Sequence, residues 1–229
     1  MKDAVKQAIR RYGYDLRPFT PVSSDSSLLI TILRHHEINL VFDIGANNGV
    51  YAGHLRSIGY KGRIVSFEPL KSAYEALTAA ARKDCSWEVA MRSAIGATDS
   101  EVEIHIAANS QSSSILDMLD AHLSAAPESI YIGLEKVPLR KLDTLAPQFL
   151  TDDSVLCIKV DTQGYEEYVL SGAVDTLSRA IVLQLELSLV QLYAGQKLMP
   201  DIVSILKKMG FNLWGMIPVF ADPDSGRML

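Results

Sequence analysis

The stretch LVFDIGANNGVYAGHL, residues 40–55, decides how the rest of the chain is read. An apolar run ends in Asp43, then Gly45 and Gly49 bracket two asparagines, and a helical pattern follows. Apolar residues without polar alternation suit a strand buried on both faces, as in a parallel sheet. Glycines at 45 and 49 let the chain turn sharply and let a ligand approach the backbone. The helix starting near Gly49 offers free N–H groups and a positive dipole end. In a doubly wound sheet such a turn lies beyond the C-terminal strand ends, where ligands bind.

The same grammar runs outward from that stretch. Residues 63–68, 87–95, 154–161 and 180–187 are further apolar strands, and helical patterns separate most of them. Strands alternating with helices predict an α/β, Rossmann-like, doubly wound and mainly parallel sheet with helices on both faces. EVEIHIA (101–107) alternates polar and apolar and predicts a half-exposed antiparallel strand. Helices are expected over 3–12, with Ala4, Ala8 and Ile9 on one side, and over 27–38, capped by Ser26 or Ser27. Ser72 and Glu75 have the spacing of a capping box. No helix separates Phe211–Ile217 from the tail, so a last antiparallel strand is expected there. The chain reads as one domain over 1–229, with an N-terminal helical extension over 1–38 and an insertion over 108–138 placed as a substrate lid.

Bulk properties narrow the function. At 229 residues and 48% hydrophobic content, one sizeable core is affordable. A net charge of -5 argues against a basic nucleic-acid surface. No apolar run approaches the ~20 residues of a membrane span. The N-terminal residues are charged and lack an apolar signal core, so a cytoplasmic protein is expected. Cys85 and Cys157 lack CxxC spacing and read as reduced core thiols.

The turn itself discriminates among ligands. A dinucleotide fingerprint needs a second glycine to make room for a pyrophosphate; Asn47 occupies that position. That counts against the rival reading, a nicotinamide-dependent oxidoreductase. Asp43 would repel a diphosphate and favour a cationic amino group. Glu68 stands nineteen positions after Gly49, where an acidic residue accepts bonds from ribose hydroxyls. A ribose, no diphosphate and a cationic end together describe S-adenosylmethionine. Asp43, Gly45, Asn47, Gly49 and Glu68 are the expected cofactor-binding residues, with Ser93 and Ala94 bordering the adenine.

VFDIGANNGVYAGHL, IVSFEP and IKVDTQGYEEYVLSGA together resemble the FkbM family of S-adenosylmethionine-dependent methyltransferases, and VPLRKLDTL, SAIGATDSEVEIHI and NSQSSSIL extend the likeness. The resemblance implies a seven-stranded sheet whose last strand is antiparallel. It also implies O-methylation, often of a sugar or polyketide-type hydroxyl, with S-adenosylhomocysteine as product. Many members have Val-Glu where this chain has Thr162-Gln163, which removes a carboxylate beside the expected site and keeps a non-catalytic binding module open as a second rival.

Asp161 ends its strand facing the crevice and is the first candidate for general base, besides contacting the cofactor. Glu186 ends the next strand; two neighbouring carboxyls can share a proton or hold a divalent cation. Asn109, Ser112, Ser113, His122 and Tyr165 are candidates for binding a small acceptor, with a carbohydrate in view. The apolar N-terminal helices offer a surface for a homo-oligomer.

Overall fold

A computed structural model describes residues 2–229, with side chains from Val5 onward. Eight strands form among them: β1 Leu40–Ile44, β2 Arg63–Phe67, β3 Trp87–Val89, β4 Ala94–Ile95, β5 Ser100–Ala107, β6 Tyr131–Arg140, β7 Leu156–Val160 and β8 Ala180–Leu185. The helices are α1 Lys2–Arg10, α2 Asp25–His35, α3 Val50–Ser57, α4 Lys71–Ala81, α5 Asp120–Ala125, α6 Leu142–Leu145, α7 Glu166–Ser171, α8 Val174–Ser178 and α9 Met199–Lys208.

Five strands make a wholly parallel sheet in the order β3-β2-β1-β7-β8. The chain first winds outward from β1 to β3, then returns to the other side of β1. The switch point therefore lies between β1 and β7, both buried at every position. One face packs Phe42, Phe67, Ile158 and Leu142 together, and the other packs Val41, Ile64, Leu55 and Cys157 with Leu33 of α2. Full burial of such a side chain contributes roughly 1.5–3 kcal/mol. The central strands are accordingly the most firmly held backbone in the molecule, and they carry the site.

A second, three-stranded sheet has the order β4-β6-β5, with β5 and β6 antiparallel as the alternation of 101–107 predicts. It packs on α4 through Leu70, Ala73, Ala94, Ile104, Val137 and Leu139.

Several expectations are corrected. The main sheet has five strands, not seven, and no antiparallel last strand. Residues 87–95 are not one strand: the chain leaves the main sheet after Val89, and β4 joins the second sheet. Residues 211–220 add no strand, and the tail pairs only at the isolated bridge Ala221–Met228. Gly215 offers no side chain to pack and Pro218 no N–H donor, which disfavours extension of the ladder. The last part of the stretch 108–138 lies in β6, which starts at Tyr131. Ser24, rather than Ser26 or Ser27, caps α2 by accepting from the Ser27 N–H. Ser72 lies inside the first turn of α4, so no capping box forms. Cys157 is buried, but Cys85 is exposed in the turn after α4. The side chain of Ala4 lies outside the described residues, and Ala8 is exposed. Part of the apolar face of α2 is consumed within the chain, where Ile30 and Leu33 join the core. No helix among the described residues is long and apolar enough to cross a membrane.

Candidate active site

The two strand-end motifs meet backbone to backbone. Gly45 has φ +73°, and a Cβ there would stand 1.8 Å from the Asp161 carbonyl oxygen. No L side chain fits at that distance, so the glycine is required by the neighbouring turn. Gly49, at φ +90°, is held the same way by the Trp87 ring, 2.7 Å from where a Cβ would stand. Asn47 also has positive φ, +47°, which Asn tolerates better than most residues.

Glu68 stands one residue past β2 and is 4% exposed. Its Oε2 accepts from the Asn47 N–H (2.8 Å) and its Oε1 from the Leu70 N–H (2.9 Å). Burial raises its carboxyl to about 7 against the pull of these two donors. Each oxygen keeps a further lone pair. The acid thus fastens the glycine turn to β2 and still presents acceptors to the adjoining space.

Asp43 is placed differently from the expectation. It is fully buried beneath the turn and does not line the cavity. Its charge is answered inside the protein by Lys159 of β7, whose Nζ lies 3.2 Å from Oδ1. That contact is close enough for an ion pair but is not aligned as a hydrogen bond, so Oδ1 has a counter-charge and no donor. Ser66 Oγ donates to Oδ2 (3.3 Å), and the Trp87 indole donates to Ser66 (2.9 Å). Lys159 also donates to the Gly45 carbonyl (3.0 Å) and stands 3.5 Å from Asp161 Oδ2. Burial alone would lower its pKa; the carboxylates of Asp43 and Asp161 outweigh that and raise it.

Lys159 is absent from the sequence-based list of site residues. The signal was available: a lysine within IKVD, on a strand buried on both faces, requires a carboxylate partner.

Asp161 follows β7 and lines the cavity with Glu186, which follows β8. Burial, and then the charge of Asp161 beside it, raise the Glu186 carboxyl. The pair holds a proton between them most readily on Glu186. Gln163 Nε2 donates to Asp161 Oδ1 (2.7 Å), and the Tyr193 hydroxyl donates to Gln163 Oε1 (2.7 Å). The Gln163 amide therefore donates to Asp161 where a carboxylate at the same position would repel it. Glu166, also missed from sequence, is 2% exposed and holds the loop. Its Oε1 accepts from the Thr162 N–H (3.0 Å), the Thr162 hydroxyl (3.1 Å) and the Gly164 N–H (3.1 Å).

A cavity of about 680 Å³ joins these groups. Gly45, Asn47, Glu68, Ser93 and Ala94 line it, and so do Asn109, Ser112, Ser113, His122 and Tyr165; Gly49, packed on Trp87, does not. On the far side Asn109 donates to Ser112 (3.0 Å) and Ser129 (2.9 Å), and the Ser112 and Ser129 hydroxyls are 2.9 Å apart. His122 Nε2 lies 3.2 Å from Ser129 Oγ, while its buried Nδ1 has no partner. Burial lowers the His122 pKa. Phe220 of the tail lies 5.3 Å from the imidazole, ring to ring. A shallower depression of about 280 Å³ on α4, between Tyr74 and Arg82, is remote from the strand ends.

The model of the methyltransferase FkbM domain matches residues 43–213. The chain belongs to the FkbM methyltransferase family. No curated protein and no solved structure matches the chain. The FkbM match begins at Asp43 and includes both strand-end motifs, the second sheet and α9. Membership in this methyltransferase family implies S-adenosylmethionine as methyl source in general. The FkbM cavity fits that group on two grounds. Glu68 retains free acceptors beside the apolar wall made by Phe67, Leu70 and Ile95, as a ribose next to a flat base requires. The volume lies within the range of about 300–1,000 Å³ typical of small-molecule sites. A divalent cation fits less well. Among the described residues no group of three or more His, Cys, Asp or Glu side chains is arranged to hold one, and the Lys159 ammonium already stands beside Asp161.

Proposed function

We propose that this protein transfers a methyl group from S-adenosylmethionine to a hydroxyl oxygen of a small acceptor, a sugar or other natural-product-type compound. The observation that carries the reading is that the Asp161–Glu186 pair and the Glu68-braced glycine turn line one cavity. The cofactor supplies an electrophilic methyl on a sulfonium, so the protein's part is alignment, exclusion of water and removal of one proton. Glu68 accepts the ribose hydroxyls, and Ser93 and Ala94 border the base. Asp43 acts through Lys159 and the turn instead of touching the cofactor.

Asp161 takes the acceptor's proton. Lys159 stands 3.5 Å from Asp161 Oδ2 and the Gln163 amide donates to Oδ1, while burial and the neighbouring Asp161 favour the protonated form of Glu186. Such a base supplies a factor of roughly 10²–10⁴. Residues 108–130, with Asn109, Ser112, Ser113 and His122, cover the acceptor end as a lid within a single domain, and Tyr165 walls it. Calorimetry with S-adenosylhomocysteine is the direct test. One site at micromolar affinity is expected; absence of binding at high micromolar concentration overturns the reading. Methyl transfer to any acceptor would then eliminate a non-catalytic binding module.

A further inference from the structure

We propose that the acceptor half of the cavity selects against anions, so that the acceptor is a hydroxyl-rich compound, neutral or amine-bearing, with no phosphate or carboxylate group. The word acceptor rests on the methyltransferase reading; the charge selection rests on the wall itself. Five carboxyl side chains line the cavity, Glu68, Glu128, Asp161, Glu166 and Glu186, against one ammonium, Lys159, and no arginine. That ammonium is spent. Lys159 Nζ donates to the Gly45 carbonyl at 3.0 Å and the Ile44 carbonyl at 3.4 Å, and its charge is met by Asp43 at 3.2 Å and Asp161 at 3.5 Å, so an incoming anion would have to compete with two carboxylates already in place. Burial raises Glu68, Glu166 and Glu186, which reduces the negative charge without creating positive charge.

The uncharged part of the wall has matching chemistry. Asn109, Ser112, Ser129 and His122 form a continuous chain of groups able to donate or accept. His122 lines the cavity at 4% exposure, and its Nδ1 is buried without a partner, so the imidazole closes the chain. Alcohol hydroxyls, which also donate and accept, complement such a chain; a phosphate only accepts and brings charge with no cation to meet it. A sugar would therefore be methylated while free of phosphate. The reaction that supplies it is one that discharges phosphate, namely glycosyl transfer from an activated donor or phosphate-ester hydrolysis.

The test reads the charge of the cavity without needing the acceptor. In a Cys85→Ser background, Asn109→Cys places a thiol on the wall, while Cys157 remains buried. The protein is saturated with S-adenosylhomocysteine and treated with methanethiosulfonates bearing a trimethylammonium or a sulfonate. Each rate is divided by that for a small free thiol. The cationic reagent is expected to exceed the anionic one by about tenfold or more, the scale of a focused cleft potential. Equal rates, or a faster anionic reagent, overturn the proposal. Should Asn109→Cys not fold, Gln111→Cys at the cavity rim gives the same comparison. If S-adenosylhomocysteine fails to bind but the rates differ as expected, the cofactor reading falls and the charge selection stands.

Discussion

Replacing Lys159 by methionine keeps much of the chain length beside the Tyr51 ring but removes the ammonium, 5.4 Å from that ring's centre. Asp43 then remains fully buried with no counter-charge. Removing one partner of a buried ion pair costs about 3–5 kcal/mol, and urea unfolding of Lys159→Met should show a loss of that size. Adding Asp43→Asn should recover part of it, because the stranded charge disappears; strict additivity in the double-mutant cycle would refute the pairing. Glu68 makes a different kind of contribution. Glu68→Ala removes charge-assisted acceptors and should weaken S-adenosylhomocysteine binding by about 1 kcal/mol or more, at least roughly fivefold in Kd by calorimetry. Binding as tight as the parent's would refute its assignment to the ribose. Asp161→Asn retains shape but cannot take a proton, and unchanged turnover would exclude Asp161 as the base.

The loop between β7 and α7 shows how an element depends on one buried acid. Glu166 accepts from three donors, and its carboxyl is raised to about 7, by burial first. Its ordinary value is 4.5, so the folded protein binds the proton more tightly than the unfolded chain. The sign follows from linkage: the associated stability is complete below the unfolded value and is lost as pH rises through about 7. Thermal melts between pH 5 and pH 8, where the effect runs its course, should show Glu166→Gln less sensitive to rising pH than the parent. Gln keeps an oxygen acceptor for the same three donors, whereas Glu166→Ala should lose about 1–3 kcal/mol at any pH. An identical pH dependence for parent and Glu166→Gln would remove Glu166 from the titration. Elements were unevenly legible. The apolar runs of β1, β2 and β7 were readable because burial on both faces leaves a continuous signal, and β8 keeps an apolar run although only Ala180 of it is fully buried. The break at Ala90 was not, because a strand leaving one sheet for another keeps its apolar character.

At the scale of the molecule the two sheets share α4 and meet again where Gly172 lies against the Gly96 carbonyl, 1.9 Å from where a Cβ would stand. Such contacts argue for one cooperative unit. In a Trp214→Phe background the remaining tryptophan, Trp87, reports on the main sheet, and far-ultraviolet dichroism reports on both sheets. Coincident urea transitions are expected, and separate midpoints would show independent folding. The cofactor half of the site was largely written in short motifs, since Glu68 and the glycines lie within a few residues of their strand ends. The Lys159–Asp43 pair and the Gln163–Tyr193 bond are specified only once β7 sits beside β1 and Tyr193 folds under the loop, whereas the partners of Glu166 are local, at Thr162 and Gly164, and no motif marks its burial. The contact of Gly45 with the Asp161 carbonyl has a consequence for redesign. The cofactor turn and the base-bearing turn cannot be exchanged independently, because a graft of either must reproduce the other's backbone. Residues 108–130 are tied to both turns, since Asn47 Nδ2 donates to Ser110 Oγ (3.3 Å) and Ser114 Oγ donates to the Gln163 carbonyl (2.7 Å). A new acceptor preference grafted there must keep Ser110 and Ser114 if the two turns are to stay as they are.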